Sequence, residues 1–94
     1  MIRAARVDSN QKEIVTALRK MGAYVMLLHQ VKNLFDILVA YKGNLYCIEL
    51  KEGLKPESQR KLTPGEIKCK TNLELRGVKY FVVNSVSEAV ELVG

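Results

Sequence analysis

The chain has 94 residues, 48% hydrophobic and 27% charged, with a formal net charge of +5 from 15 basic and 10 acidic side chains. That is room for one domain, expected over residues 1–94, and it excludes a disordered, collagenous or low-complexity chain. No apolar run approaches the ~18 residues of a membrane span, MIRAARVDSNQ lacks a secretory apolar stretch, and Cys47, Cys69 and the single His29 make neither a disulfide framework nor a zinc site.

These exclusions predict a cytoplasmic protein with no membrane partner. The positive excess favours an anionic partner, nucleic acid among the candidates.

In chain order, Asp8 is placed to cap a first helix, with Gln11 completing a capping box. Ile14, Leu18 and Met21 recur at helical spacing and Gly22 stops the helix, giving a span of about Ser9 to Met21. Three apolar runs follow: Ala23 to Leu28, Leu34 to Tyr41 and Asn44 to Lys51, the last two joined by a tight turn at Lys42-Gly43-Asn44. Residues 52–62 are polar, with Gly53 and Pro56, and read as a loop.

The second helix has a complete start signal. Thr63 is the N-cap, Pro64 the first helical residue, Glu66 the capping-box partner, and Leu62 and Ile67 are spaced for a hydrophobic staple. It runs to about Arg76 and ends at Gly77. Val78 to Val83 reads as a strand buried on both faces, and Ser85 with Glu88 caps a last helix to Val93. The order α-β-β-β-α-β-α describes one α/β domain with a mixed central sheet, an antiparallel meander followed by a strand reached through a helical crossover.

Within the second strand Asp36 is the only charged residue between Asn33 and Tyr41. A carboxylate among apolar neighbours is costly unless it is paired or binds a metal. In the third strand, alternation puts Leu45, Cys47, Glu49 and Lys51 on one face. A hairpin turning near Gly43 sets roughly residues 49 to 51 across from Asp36, so Asp36, Glu49 and Lys51 can converge. Two close carboxylates raise each other's pKa. With a backbone carbonyl and waters they suit Mg²⁺ or Mn²⁺, and a lysine beside such a site stabilises charge growing on a phosphoryl group. The residues alone leave open a plain ion pair between Asp36 and Lys51.

The run FDILVAYKGNLYCIELK resembles the core motif of the PD-(D/E)XK nucleases, an acidic residue on one strand followed after a short hairpin by Glu-x-Lys, here Asp36 and then Glu49-Leu50-Lys51. The element order resembles the restriction-endonuclease-like core of that superfamily. More narrowly, the chain resembles stand-alone viral VRR-NUC domains, the virus-type replication-repair nucleases, because a Leu-Thr-Pro segment (Leu62 to Pro64) opens the next helix and Gly77 to Val83 supplies the following strand. The resemblance implies an endonuclease dependent on Mg²⁺ or Mn²⁺ that acts on DNA, of the kind in which small viral dimers resolve four-way (Holliday) junctions inside the host cell. It implies Asp36, Glu49 and the carbonyl of Leu50 as metal ligands, Lys51 as the catalytic lysine, and Glu13 of the first helix as a further acidic member.

The chain departs from the pattern in three places, the first being Val31-Lys32-Asn33-Leu34 where a glycine-rich approach to the aspartate is usual. Phe35 stands where a proline usually precedes the aspartate, and Glu66 stands where the second helix usually carries a glutamine. Glu66 reads first as a capping residue; Gln59, in the loop, is a weaker substitute. Lys55, Arg60 and Lys61, with Arg3 and Arg6, are candidates for salt-dependent contact with a DNA backbone. His29 reads as a structural histidine with some reach toward a phosphate, and Tyr41, Tyr46 and Tyr80 as sheet residues. A flap, nicking or restriction-like nuclease, or a basic nucleic-acid-binding module without catalysis, fits the same composition.

Overall fold

The computed structural model describes residues 10–52 and 61–94. Its elements are α1 (Gln11–Lys20), β1 (Tyr24–Leu27), β2 (Ile37–Tyr41), β3 (Asn44–Leu50), α2 (Pro64–Glu74), β4 (Tyr80–Val83) and α3 (Val86–Val93), the order expected from the sequence. The sheet runs β1-β2-β3-β4. β1–β2 and β2–β3 are antiparallel, and β3–β4 is parallel. A parallel neighbour needs a crossover, and α2 provides it.

The β2–β3 hairpin closes through a two-residue turn between the paired Tyr41 and Asn44. Lys42 (φ 48) and Gly43 (φ 83) both have positive φ, as a type I′ turn requires, and the twist of that turn matches the strands it joins. The turn sets the register, which reaches Ile37 opposite Ile48. Regular pairing stops there, three residues later than the run of apolar residues suggests. Asp36 N–H donates to the same Ile48 carbonyl at 3.0 Å. Ile48 therefore faces two residues of the other chain segment, a β-bulge, which turns the residues before Ile37 out of simple alternation.

The two faces of the sheet are covered differently. Val25, Ile37, Val39, Ile48, Leu50 and Val83 pack with the α1 stripe Ile14, Val15 and Leu18 and with Ala89 and Val93 of α3. On the other face Phe35, Cys47 and Tyr80 form a smaller core, with Leu62, Cys69 and Leu73 from the α2 side packed against it. Phe35 and Tyr80 meet edge to face, centroids 6.2 Å apart. None of the residues of α2 is buried, so this helix rests on the sheet through half-buried side chains.

Three expectations need correction. The N-cap of α1 is Asn10, and its side chain does not cap the helix; Asp8 and Ser9 lie outside the described residues. The strand ending at Val83 is not buried on both faces. Among the described residues it is an edge strand beside β3 alone, with Val82 and Val78 exposed, because only Tyr80 reaches the core beneath α2. The staple at α2 is one-sided: Leu62 joins the small core while Ile67 is exposed. Among the described residues no helix is long and apolar enough to cross a membrane.

Ile48 lies at the centre of the larger core and is 0% exposed. Ile48→Ala removes buried methylene and methyl groups and is expected to cost about 2–5 kcal/mol, a large share of the ~5–15 kcal/mol that holds such a domain together. Urea denaturation checks this: the midpoint drops while the slope stays near that of wild type.

Candidate active site

The bulge at the start of β2 places one carboxylate against the end of β3. Leu50 N–H donates to Asp36 Oδ2 at 2.8 Å, so the Asp36 side chain lies alongside the Glu49–Leu50 peptide. In a strand the N–H and C=O of one residue point the same way. The Leu50 carbonyl therefore faces the Asp36 side as well, while Lys51 N–H turns the other way and donates to Val83 O at 3.0 Å. Glu49 alternates with the core-facing Ile48 and Leu50 and projects under α2, where it is only 4% exposed.

Lys51 follows immediately. Its ammonium sits 3.4 Å from Glu49 Oε2 and 3.1 Å from Glu66 Oε1. Glu66 Oε1 also accepts from Thr63 N–H at 2.9 Å, and Glu66 N–H donates to Thr63 Oγ1 at 3.2 Å, so the capping box forms. The sequence reading set capping and site membership as alternatives for Glu66. The structure gives both to one oxygen. The capping box fixes where Glu66 stands, and its carboxylate then anchors the lysine.

The charges bear on one another. Burial, with Asp36 second, pushes Glu49 up to about 9; hydrogen bonding with Glu66 and its charge add to the rise, and Lys51 opposes it. Burial acts against charge on Lys51, but the two carboxylates outweigh it and hold the ammonium above its ordinary value. Burial also acts against charge on Glu66, yet the Thr63 N–H, the Glu49 hydrogen bond and Lys51 together bring its carboxyl below the usual range. The consistent picture is a proton on Glu49 shared toward an ionised Glu66, beside a charged Lys51. Burial and the neighbouring acids raise Tyr80, whose hydroxyl donates to Leu34 O at 3.3 Å, and burial is also the main cause that raises Cys47 and Cys69. These groups belong to the small core beneath α2 and not to the cleft.

Asp36, Glu49, Leu50, Lys51, Glu66 and His29 border one cleft. The segment between β1 and β2 forms its other wall. Asn33 in that segment has φ 59, and its side chain lies so close to Gly65 on the first turn of α2 that a Cβ at position 65 would collide with it. Glycine there lets the wall rest on the helix.

Glu13 does not join the cleft. It is exposed on α1 and borders a separate groove with Lys12, Thr16 and Lys20. The buried stripe of α1 is Gln11, Ile14, Val15 and Leu18, and a residue two places from Gln11 points about 200° away around a helix. On the site side of the helix stand Asn10 and Gln11, the latter expected from sequence as a capping-box partner and found buried instead. Gln11 Nε2 lies 3.2 Å from His29 Nδ1. Asn10 Nδ2 donates to Lys51 O at 3.2 Å and Asn84 O at 3.1 Å, tying the helix start to the ends of β3 and β4. Only the polarity of Gln11 on an otherwise apolar stripe hinted at this. Lys61 is exposed just ahead of α2; Arg3, Arg6, Lys55, Gln59 and Arg60 lie outside the described residues.

The donor set fits a hard divalent cation. Asp36 and Glu49 are two carboxylates near enough for one to raise the other's pKa, and a metal in place of the Glu49 proton relieves that repulsion. Among the described residues no cluster of three or more His, Cys, Asp and Glu side chains is disposed to hold a metal. Two carboxylates, one carbonyl and retained waters is the donor pattern of Mg²⁺ or Mn²⁺ rather than of zinc.

A solved structure described as a VRR_NUC domain shares this architecture, with a TM-score of 0.68 over 95% of this chain and 95% of that one, at 22% identity. The fold expected from the resemblance is thus the fold observed. No protein-family model and no curated protein matches the chain.

The raised Glu49 has a consequence for the metal-free protein. From about its ordinary value of 4.5 up to about 9, the folded chain holds a proton that the unfolded chain has released, so stability falls as pH rises through that window. Glu49→Gln keeps a donor to Glu66 without the ionisation. In EDTA at pH 8 it is expected to melt several degrees above wild type, since roughly 1 kcal/mol moves Tm by about 4–8 °C in a domain this size. The gap should close toward pH 5; melting curves across that range, with no gap at pH 8, would remove the proton from Glu49.

Proposed function

We propose that this chain is a nuclease that uses Mg²⁺ or Mn²⁺ to hydrolyse DNA phosphodiesters, acting as a homodimer on branched DNA, four-way junctions above all. The observation that carries the reading is the bulge-aimed Asp36 beside Glu49, with Lys51 just past the end of β3. Asp36, Glu49 and the Leu50 carbonyl are the proposed ligands. When bound, the metal would supply a coordinated water of lowered pKa and neutralise charge on the phosphoryl group.

The chain's own groups divide the remaining tasks. Lys51 stays an ammonium because both neighbouring carboxylates favour its charge, which suits it to stabilise negative charge on the phosphoryl oxygens and not to act as a base. Glu66 holds that ammonium at 3.1 Å and is itself held by Thr63, so the cation is positioned before substrate arrives. Loss of the usual glutamine at this place leaves a carboxylate that serves Lys51. The net charge of +5 lies outside an acidic centre, and Lys61, with Arg3, Arg6, Lys55 and Arg60, is proposed to meet the DNA backbone.

Branched DNA is favoured by the resemblance to small viral VRR-NUC domains. A dimer would set two centres about a two-fold axis, as paired nicks across a junction require.

A labelled four-way junction in Mg²⁺ tests this. Wild type is expected to nick the junction in preference to linear duplex. Lys51→Ala should lower kcat by about 10²–10³ while junction binding holds within about threefold. Asp36→Asn keeps an acceptor for Leu50 N–H and should lose Mn²⁺ binding in calorimetry. Junctions left intact while duplex is degraded equally by wild type and Lys51→Ala would defeat the proposal, and tight DNA binding in EDTA with no cleavage in any metal would mark a non-catalytic binding module.

A further inference from the structure

Gln11 and His29 form a pair that the proposed metal ligands do not use. Gln11 opens α1 on the same stripe as Ile14, Val15 and Leu18 and is only 5% exposed. A polar amide in such a place is costly, and an apolar residue would serve packing better. Its Nε2 lies 3.2 Å from His29 Nδ1, and its Oε1 has no partner among the described residues. Among the described residues the hydrogen-bond contact of the Gln11 amide is with His29.

The contact couples the ring's tautomer to the orientation of the Gln11 amide. With the amide nitrogen as the donor, Nδ1 accepts and a ring proton is on Nε2; with the amide turned over, Nδ1–H would donate to Oε1 instead. The ring nitrogens diverge, so with Nδ1 toward Gln11 the Nε2–H is turned away from α1. His29 is half-buried between α1 and the cleft that holds Asp36, Glu49 and Lys51. Lys32 belongs to the same wall. The wall is braced at both ends: Val31 N–H donates to Leu28 O at 2.9 Å, and Asn33 rests on Gly65. His29 is therefore held in the wall of the cleft that Lys51 and Glu66 also border.

We infer that His29 contacts the substrate: its Nε2–H donates to a phosphate oxygen of the nucleic-acid strand in the cleft, and Gln11 is the positioning residue that sets its tautomer. The identity of the ligand as a phosphodiester rests on the proposed function; the oriented donor does not. His29 acts in binding and orienting the strand, so its loss is read mainly in affinity and KM.

His29 is the single histidine of the chain, which makes its ring directly assignable by long-range ¹H–¹⁵N NMR. The free protein is expected to show the Nε2–H tautomer. A short DNA duplex added with Ca²⁺ in place of Mg²⁺ should shift the Nε2 resonance. His29→Ala should weaken duplex binding by about tenfold, the scale of one hydrogen bond to a charged group, and in Mg²⁺ should raise KM with kcat changed little. His29→Asn, which keeps an N–H donor, should recover part of the loss. Gln11→Leu, with its fold checked by circular dichroism, should lose the tautomer preference and bind less tightly than wild type. An Nδ1–H tautomer in the free protein, no shift on adding DNA, no DNA binding at all, or His29→Ala binding as wild type would each overturn the inference. The two readings fail separately: an intact His29 response without cleavage in Mg²⁺ removes the nuclease and leaves the contact, whereas unchanged KM and binding in an active His29→Ala enzyme does the reverse.

Discussion

Asp36 reaches the end of β3 because the β2–β3 ladder slips by one residue at Ile48. The tight turn at Lys42-Gly43 fixes the hairpin, and the hydrogen bond from Asp36 N–H to the Ile48 carbonyl adds an extra residue opposite it. That bulge directs the Asp36 carboxylate onto Leu50 N–H and next to Glu49. A regular strand would instead continue the alternation, with side chains from Leu34 onward set alternately on the two faces. The bulge thus adds a second acid beside Glu49, whose burial is the larger cause of its raised pKa.

The acidic pair is stabilised from the other side by α2, and the dependence is mutual. Nothing on that helix is fully buried, so its attachment by apolar contact is light. Glu66 adds a polar tie through Lys51 that is made possible by the capping box at Thr63. Removing either partner of such a half-buried ion pair leaves the other charge poorly solvated. Site and scaffold share these residues: the group that starts the helix also positions the cation of the site. Asn10 does the same at the opposite boundary, linking α1 to the backbone of Lys51 and of Asn84.

Much of this was legible in the residues. Alternation and turn chemistry placed the hairpin and brought Asp36, Glu49 and Lys51 within reach of one another, and Thr63-Pro64 with Glu66 marked the second helix at its true start. The expected α-β-β-β-α-β-α order is the one observed. Glu13, a site member only by the resemblance, falls outside the cleft because helical phase puts Gln11, not Glu13, on the stripe with Ile14 and Leu18. The Gln11–His29 pair is not legible in the sequence, because its partners lie 18 positions apart. The edge position of β4 escaped notice because a run of β-branched and aromatic residues looks the same in a central strand as in a half-covered one.

By itself the sequence determined what is local: where helices and strands occur, the turn at Lys42-Gly43, the cap at Thr63, and the presence of two acids and a lysine at the ends of neighbouring strands. Those features depend on backbone preference and side-chain period, which act over a few residues. Tertiary structure decided which of the polar groups meet. The bulge that aims Asp36, the double use of Glu66 Oε1, the burial that keeps a proton on Glu49 and the Gln11–His29 pair all join segments distant in the chain. Such contacts depend on how the layers pack and exclude water, and the strength of each charge in the cleft is set by that exclusion.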